Sequence, residues 1–306
     1  MDERSPADRR SRRRRLGAPR LLIVGCGDVG LRIVARLRGR FRLIAITASP
    51  QRRIDLRAAG TLPIVADLDD RRALVRLAAF GARVIHLAPP PNQGTHDPRT
   101  RHLLAALAGR ARRFVYISTT GVYGDRGGAW IDETAAPAPR NDRAVRRLDA
   151  ERVIRAAGGC VLRVPGIYAH DRLPLERLRA GAPALAAADD VHANHVHADD
   201  LARIAIAALH RGRATRVYHA VDDSRLMMGE YFDLVADRFG LPRPPRLPRE
   251  RLKATVSPLT YSFMTESRRL RNARLKRELK LRLLWPTVAA TLASIKPPPT
   301  DITAAA

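Results

Sequence analysis

The feature that most constrains this chain is a glycine-rich turn between a short apolar run and an amphipathic segment. Residues 20–24 read RLLIV, and Gly25, Gly27 and Gly30 follow in a G-x-G-x-x-G pattern. Apolar residues at helical spacing come next, namely Leu31, Ile33, Val34 and Leu37. The order of strand, glycine turn and helix is the context in which this pattern predicts a dinucleotide-binding site.

Each glycine has a distinct predicted role. Gly25 permits the tight turn, Gly27 lets the backbone approach a pyrophosphate, and Gly30 lets the helix pack closely on the strand. The free N–H groups of the new helix, which begins with Asp28 and Val29, then face the phosphates. The alternative interpretation is a glycine-rich turn in an α/β fold that binds no ligand.

Strand and helix patterns alternate through the first half of the chain. Apolar runs predict strands at 20–25, 42–46, 62–66, 83–88, 113–118 and 160–164. Helical patterns lie between these strands, at 28–39, 51–59, 69–80, 97–110 and 141–157. This alternation predicts an α/β fold, a Rossmann-type doubly wound parallel sheet with helices on both faces.

The pattern changes after Pro165, where the sequence predicts a smaller C-terminal α/β substrate lobe. Its predicted strands lie at 190–197 and 215–221, and its predicted helices at 198–211, 228–239 and 261–280. The expected units are a disordered basic arm at 1–19, a Rossmann domain at 20–165, the substrate lobe at 166–296 and a tail at 297–306. The chain of the lobe can cross back to the sheet, and a mistaken translation start is an equal alternative for the arm.

Composition limits the partners of the protein. The formal net charge is +26, but aromatic residues make up only 5% and no RNA-reading pattern appears, so we expect no specific nucleic-acid partner. No apolar run reaches the length of about eighteen residues that a membrane span needs, and no apolar segment follows the N-terminal arginines as in a secretory signal. Cys26 and Cys160 are the only cysteines and lie in or beside predicted core strands, which favours a reducing compartment, the cytoplasm.

Five segments together carry a resemblance to a known family. They are the glycine turn at 25–30, STTGVYG at 118–124, LRVPGIY at 162–168, NHVHADD at 194–200 and SFMTESRRL at 262–270. The combination resembles the extended and atypical short-chain dehydrogenase/reductases, near the NAD-dependent epimerase/dehydratase group, and the last segment resembles the YeeZ-like branch. The resemblance implies a Rossmann domain that holds NAD(P), a smaller part that closes over a small-molecule substrate, and a homodimer.

The resemblance also implies a catalytic set: a Ser or Thr at the reacting oxygen, a Tyr that passes a proton and a Lys four residues later. Thr119 matches the Ser/Thr position, with Thr120 as its rival. The Tyr-x-x-x-Lys pair is missing, and Arg143 and Arg147 stand at its two positions. Arginine stays protonated, so Arg143 cannot be the general acid/base, whereas Arg147 can supply charge and hydrogen bonds to a ribose. The alternative is that both arginines form a solvated helix face.

Three explanations fit the missing pair. Tyr123 can serve as a substitute proton donor, or the chemistry can use other groups, such as His86 or a proton of the substrate. The third explanation is a redox sensor or scaffold that binds a dinucleotide without turnover. We expect NAD(P)-dependent oxidoreduction or an epimerase-like hydride transfer on a carbonyl or sugar-like substrate, with non-catalytic binding as the alternative.

The second strand ends without the carboxylate that NAD-selective sites use to bind the ribose hydroxyls. Thr47 and Ser49 offer hydroxyls there, and Arg52 offers charge-assisted hydrogen bonds to a 2′-phosphate, so we expect NADP rather than NAD. The alternative is that Arg52 and Arg53 merely start a solvent-facing helix. The resemblance implies further cofactor contacts at Asp67, Leu68, Ala88, Pro89, Pro90 and Pro165.

Two histidines suggest, at first sight, a metal site. His195 and His197 share one face of a predicted strand and precede Asp199 and Asp200. The resemblance implies instead the strand that leads into the next helix, so we expect no metal. We expect His86, on the fourth strand, to be a packed core residue.

Overall fold

The computed structural model describes residues 17–80 and 83–296. Most of the predicted arm at 1–19 and the whole predicted tail at 297–306 lie outside the described residues. The strands are β1 (Arg20–Val24), β2 (Arg42–Thr47), β3 (Leu62–Val65), β4 (Arg83–His86), β5 (Arg113–Thr119), β6 (Trp130–Ile131), β7 (Cys160–Val164), β8 (Gly166–Tyr168), β9 (Ala184–Leu185), β10 (His192–Ala193), β11 (His195–His197), β12 (Val217–His219), β13 (Leu226–Met227), β14 (Arg246–Leu247) and β15 (Arg269–Leu270).

The α-helices of the described residues connect these strands. They are α1 (Asp28–Leu37), α2 (Arg53–Ala58), α3 (Pro98–Leu107), α4 (Asp142–Ala156), α5 (Leu175–Arg179), α6 (Ala198–Arg211), α7 (Met228–Arg238), α8 (Arg249–Thr255), α9 (Pro258–Thr265), α10 (Ala273–Leu279) and α11 (Val288–Ser294). Short 3₁₀ helices lie at Pro50–Arg52, Val75–Ala79, Thr120–Tyr123 and Ala187–Asp189. Within residues 17–80 and 83–296, no helix combines the length and the apolar character needed to cross a bilayer.

Seven strands form one parallel sheet in the order β12–β7–β5–β4–β1–β2–β3. The chain moves outward from β1 through β2 and β3 on one side, and through β4, β5, β7 and β12 on the other. The direction reverses between β1 and β4, which opens a crevice at the carboxyl ends of these strands, where such sheets bind ligands. The predicted Rossmann-type doubly wound sheet is confirmed.

Alternate side chains of β1 are buried on opposite faces of the sheet, as the two-residue period of a strand requires. Leu21 and Ile23 pack in the cluster that holds α1 and α6, whereas Leu22 and Val24 pack in the cluster that holds α3 and α4. All four side chains are inaccessible to solvent. The apolar run that precedes the glycine turn is therefore apolar throughout because helices cover both faces.

The C-terminal part has its own buried cluster and also completes the main sheet. Tyr168, Phe232 and Val235 belong to the separate cluster. The strand β12, however, pairs with β7 in the main sheet, with Tyr218 opposite Leu162. The chain therefore returns to the sheet after β8–β11 have begun the second part.

Two predicted helices are wrong. The segment 69–80 forms turns followed by the 3₁₀ helix at Val75–Ala79, and the segment 261–280 contains two helices separated by β15. Between these helices the carbonyl oxygen of Ser267 accepts hydrogen bonds from the N–H groups of Arg126 and Gly128, at 2.8 and 3.1 Å. Backbone pairing with a distant loop thus holds this segment extended, which local periodicity does not show.

The predicted strand at 190–197 is interrupted at Asn194. β10 ends before this residue and β11 begins after it. The Asn194 side chain donates to the carbonyl oxygen of Arg268 at 2.9 Å and accepts from the N–H of Leu270 at 3.1 Å. Its amide thereby substitutes for strand pairing and connects the two short strands to β15.

Asp200 is buried at the start of α6, and its carboxylate binds two backbone N–H groups of the segment before α11. Its Oδ1 accepts from the N–H of Leu284 at 3.0 Å, and its Oδ2 accepts from the N–H of Trp285 at 2.7 Å. We expect Asp200→Ala to lower the free energy of unfolding by about 2–4 kcal/mol, because two backbone donors lose their acceptor. Urea unfolding measures this loss.

The matched control is Asp237→Ala, because Asp237 is exposed and pairs with an exposed arginine, Arg243. We expect this control to cost about 0–1 kcal/mol, as is usual for surface ion pairs. Equal losses in the two variants would contradict the role of Asp200.

Candidate functional site

The three glycines of the turn have different surroundings. Gly25 has φ +77°, and a Cβ there would lie 2.6 Å from the backbone nitrogen of Ala88, so a side chain is excluded. A Cβ on Gly27 would meet no atom within 4 Å, whereas one on Gly30 would lie 3.0 Å from Sγ of Cys26. These surroundings agree with a tight turn at the first glycine, an open approach at the second and close packing at the third.

The start of α1 faces an open cavity of about 260 Å³. No side chain caps the helix at Gly27, so its first N–H groups have no acceptor from a capping side chain. Uncapped N–H groups and the positive end of the helix dipole favour a phosphate at this position. Beyond the turn, this first cavity is lined by Leu87, Ile117, Ser118, Thr119, Val164 and Pro165.

A second cavity of about 480 Å³ adjoins the first. The two cavities share Thr119, Arg143, Pro165, Ile167 and Arg172. Three arginines line the second cavity, Arg143, Arg172 and Arg268, against one carboxylate, Glu266, which pairs with Arg268 at 2.8 Å. Arg172 is paired with Asp28, so Arg143 is the arginine of this cavity that forms no ion pair among the described residues, and its charge favours an anionic ligand.

Two threonines mark the junction of the cavities at the end of β5. Thr119 lines both cavities, and its Oγ1 accepts a hydrogen bond from the N–H of Gly121 at 3.2 Å. Thr120 lines only the second of these two cavities and is 4% exposed. The structure therefore places the predicted Ser/Thr position where a ligand in either cavity can reach it.

Arg143 and Arg147 both reach the first cavity from α4. Nη1 of Arg147 donates to the carbonyl oxygen of Ile117 at 2.8 Å and to Oη of Tyr116 at 3.0 Å, and the side chain is buried. The guanidinium of Arg143 lies 5.5 Å from the ring centre of Phe263. The side chain of Arg143 is exposed in part, and desolvation of its guanidinium, followed by the charge of Arg147, lowers the pKa of Arg143. The interpretation of a solvated helix face is therefore wrong for Arg147.

Tyr123 is fully buried and lines neither cavity. Its Oη lies 2.6 Å from Nε2 of His219, whose Nδ1 lies 3.0 Å from the carbonyl oxygen of Arg271. Because a carbonyl can only accept, Nδ1 carries the imidazole hydrogen and Tyr123 donates to Nε2. Burial raises the pKa of Tyr123 to about 12. The hydroxyl of Tyr123 therefore lies outside both cavities, and its role as a proton donor stays a prediction.

A buried ion pair contacts Ser118, one of the residues that line the first cavity. Nη2 of Arg163 donates to Oε2 of Glu151 at 2.6 Å, and the guanidinium lies 4.6 Å from the ring centre of Tyr123. Ser118, which lines the cavity, donates its hydroxyl hydrogen to Oε1 of Glu151 at 2.6 Å. The sequence did not predict the group of Ser118, Glu151 and Arg163, because its members come from β5, α4 and β7.

The histidines have separate structural surroundings. His195 lines the second cavity, and burial lowers its pKa to about 4, so the ring is neutral. Nδ1 of His197 accepts from the N–H of Asp199 at 3.2 Å and caps α6. Nε2 of His86 lies 3.1 Å from Oγ1 of Thr100 in the core. In the part of the chain that the structure describes, no group of three His, Cys, Asp or Glu side chains is placed to hold a metal.

Most of the residues predicted to contact the cofactor beyond the glycine turn lie at the ends of β2, β3 and β4, and these residues are not among those that line the first cavity. These are Thr47, Ser49, Arg52, Asp67, Leu68, Ala88, Pro89 and Pro90. Oγ1 of Thr47 accepts from the N–H of Ser49 at 3.2 Å. Burial raises the pKa of the Cys26 thiol to about 11, and the charge of Arg52 opposes this shift. Arg52 therefore lies close enough to the glycine turn to act on it electrostatically.

Comparisons with known proteins agree with this arrangement. The family whose model matches the chain is the RmlD substrate binding domain, over residues 19–289. A conserved protein of unknown function from Silicibacter pomeroyi is 29% identical, with a TM-score of 0.76 over 89% of this chain and 96% of that one. None of the curated proteins matches the sequence significantly.

Two further solved structures share the fold at low identity. A double mutant of dTDP-glucose 4,6-dehydratase from Streptomyces venezuelae, with NAD and DAU bound, is 20% identical, with a TM-score of 0.71 over 90% of this chain and 96% of that one. UDP-glucose 4-epimerase from Thermotoga maritima, with UDP-glucose, is 17% identical, with a TM-score of 0.72 over 89% and 97%.

We expect Tyr123→Phe to lower the free energy of unfolding by about 1–3 kcal/mol, because Nε2 of His219 loses its buried donor. Thermal unfolding measures this change, and turnover with the best substrate found should stay unchanged. Thr119→Val is the contrasting variant, which should reduce turnover and should lower stability only by the hydrogen bond to the N–H of Gly121, about 0.5–2 kcal/mol. If Tyr123→Phe loses turnover but keeps normal stability, the result would support the interpretation of Tyr123 as the proton donor.

Proposed function

The chain belongs to the RmlD substrate binding domain family, within the epimerase/dehydratase-like short-chain dehydrogenase/reductases, and we propose that it binds NAD(P) at the glycine turn. We further propose hydride transfer on an anionic, sugar-like substrate in the second cavity. The observation that carries the proposal is the continuity of the two cavities, one at the uncapped start of α1 and one lined by arginines, with Thr119 in both.

The residues present fit a dinucleotide. Gly27 leaves open space where its Cβ would stand, and the adjoining N–H groups of α1 are free to bind the pyrophosphate. Arg147, at the position of the family's lysine, borders the same cavity and is held by the carbonyl oxygen of Ile117. When bound, the dinucleotide would supply or accept a hydride.

The substrate class follows from the second cavity. Arg143, which forms no ion pair among the described residues, would attract phosphate or carboxylate groups, and the aromatic rings of Tyr231, Phe232 and Phe263 offer apolar contact to a sugar or base. The epimerase that shares this fold holds UDP-glucose in its crystal structure, and the dehydratase holds NAD and DAU. A nucleotide sugar or another acidic sugar derivative is therefore the proposed substrate.

The proposed chemistry relies on charge stabilisation. Thr119 can hydrogen-bond the reacting oxygen, and Arg143 would stabilise negative charge on that oxygen, because a guanidinium donates hydrogen bonds but does not release its proton. The proton would then come from water or from the substrate. This assignment separates the chain from family members that use a tyrosine.

Arg143 also supports a second candidate function, non-catalytic dinucleotide binding. An arginine at the proton-transfer position removes the general acid that the family uses. A sensor or scaffold would keep the coenzyme site and lose turnover. Assays for oxidation of NADPH and NADH with ketones, aldehydes and nucleotide sugars separate the two functions, since sustained consumption favours the enzyme and tight binding without turnover favours the sensor.

We expect Gly27→Leu to weaken coenzyme binding at least about tenfold, the equivalent of 1.4 kcal/mol, because the side chain would fill the cavity without disturbing the packing. Isothermal titration calorimetry with NADPH and NADH measures the dissociation constants. Gly17→Leu is the matched control, since its Cβ would also meet nothing within 4 Å. If the folded wild-type protein binds neither coenzyme, the proposed function is wrong.

We expect Arg52→Ala to weaken NADPH binding about tenfold, as for a lost charge-assisted hydrogen bond, and to leave NADH binding almost unchanged. The control is Arg53→Ala, because Arg53 is the neighbouring, exposed arginine. The same calorimetric titrations report both variants. If Arg52→Ala changes neither dissociation constant, Arg52 only begins a solvent-facing helix, and if it weakens both equally, Arg52 does not select NADP.

A further inference from the structure

Six charged side chains form one ion-pair cluster beside the first cavity, which we call the mouth cluster. Its members are Asp28, Arg32, Arg36, Asp171, Arg172 and Asp199. The three carboxylates balance the three guanidinium groups, so the cluster has no net charge. It connects α1 with the segment after β8 and with the start of α6.

Arg172 has a special place in the mouth cluster, because it lines both cavities. Its Nη1 donates to Oδ2 of Asp28 at 2.8 Å, and both side chains are 38% exposed. No other carboxylate forms an ion pair with Arg172 in residues 17–80 and 83–296. Its one ionic contact is thus to the first residue of the helix that would receive the pyrophosphate.

Asp28 has a second partner that remains available. Nε of Arg32 donates to Oδ1 of Asp28 at 3.1 Å, on the oxygen that Arg172 does not use. Arg32 is held in turn by Asp171 at 2.6 Å. If Arg172 leaves, the Asp28 carboxylate therefore keeps an arginine partner and is not left unpaired.

A bound pyrophosphate changes the balance of charge at this point. Its negative charges at the start of α1 would repel the Asp28 carboxylate and attract a guanidinium. Arginine binds phosphate oxygens with two parallel hydrogen bonds, which are stronger than those of an uncharged donor. Arg172 is partly exposed, lines the first cavity and is free to exchange its partner at little cost.

We propose that Arg172 is a coenzyme-responsive clamp that moves from Asp28 to the pyrophosphate and draws residues 169–174 towards the first cavity. This inference rests on the proposed function, because it needs a dinucleotide at the glycine turn. Asp28 then acts as an internal competitor, which holds the clamp in the free protein and lowers the affinity for coenzyme. Because Arg172 also lines the second cavity, its movement reshapes the substrate site and couples the two cavities.

The test measures the dissociation constant of NADPH by calorimetry for the wild type, Arg172→Gln, Asp28→Asn and the double variant. We expect Arg172→Gln to weaken binding about tenfold, as for a lost charge-assisted contact to phosphate. Asp28→Asn should tighten binding, because the clamp loses its competitor. In the Asp28→Asn background the loss caused by Arg172→Gln should be larger than in the wild type, since the clamp is then fully free to act.

The control is the exposed pair of Arg243 and Asp237, whose side chains also meet at 2.8 Å but lie in α7 and the loop after it. Arg243→Gln and Asp237→Asn should leave NADPH binding unchanged. Hydrogen exchange gives a second readout: the amides of Arg172 and Leu173 should exchange more slowly with saturating NADPH in the wild type and at the same rate with and without NADPH in Arg172→Gln.

Three results would overturn the clamp. If Asp28→Asn weakens binding as much as Arg172→Gln, Asp28 supports the coenzyme site and is no competitor. If neither variant changes the dissociation constant while the wild type binds NADPH, the pair is only a surface ion pair and the proposed function still stands. If the wild type binds no coenzyme although it is folded, the proposed function and the clamp fail together.

Discussion

The close approach of Gly25 to Ala88 determines how the two central strands meet at the crevice. Gly25 must adopt φ +77° and must lack a side chain, since a Cβ would lie 2.6 Å from the backbone nitrogen of Ala88. The N–H of Ala88 in turn donates to the carbonyl oxygen of Val24. The ends of β1 and β4 are thereby fixed together at the point where the strand order reverses. The direction of α1, and with it the position of both cavities, depends on this contact.

The parts of the fold that repeat a local pattern are predictable from the sequence. Buried parallel strands are apolar throughout, so β1, β2 and β5 were visible in the sequence, and the glycine spacing located α1. The extended segment at Ser267 was not, because a loop near Arg126 holds it through backbone hydrogen bonds. The alternation of residues in one segment carries no information about a partner 140 residues away, and the segment was predicted as helix for that reason. The predicted homodimer, the cytoplasmic location and the domain bounds stay predictions.

The residues of the candidate site also fall into two groups, those that a local motif locates and those that only tertiary contacts bring to the cavities. The glycines and Thr119 come from strand ends that the sheet brings together, and a known motif locates them. Arg172 and Arg268 come from the C-terminal part, and their presence in the second cavity depends on how its short strands pair. Tyr123, which is one of three explanations for the missing pair, lines neither cavity, and its hydroxyl donates to His219. The direction of a side chain in the turn after a strand decides whether that side chain reaches a cavity or is buried away from it. The local sequence does not specify this direction.

The hydrogen bond from Ser118 to Glu151 determines what this serine can offer to a ligand. Its single hydrogen is committed to a carboxylate that Arg163 also holds. Towards the first cavity the hydroxyl therefore presents only lone pairs. A group that carries its own hydrogen, such as a primary carboxamide, is matched by this oxygen, while a second carbonyl or an anion would be repelled. The buried hydrogen bond to Glu151 thus determines that the hydroxyl oxygen of Ser118 acts as an acceptor towards a ligand.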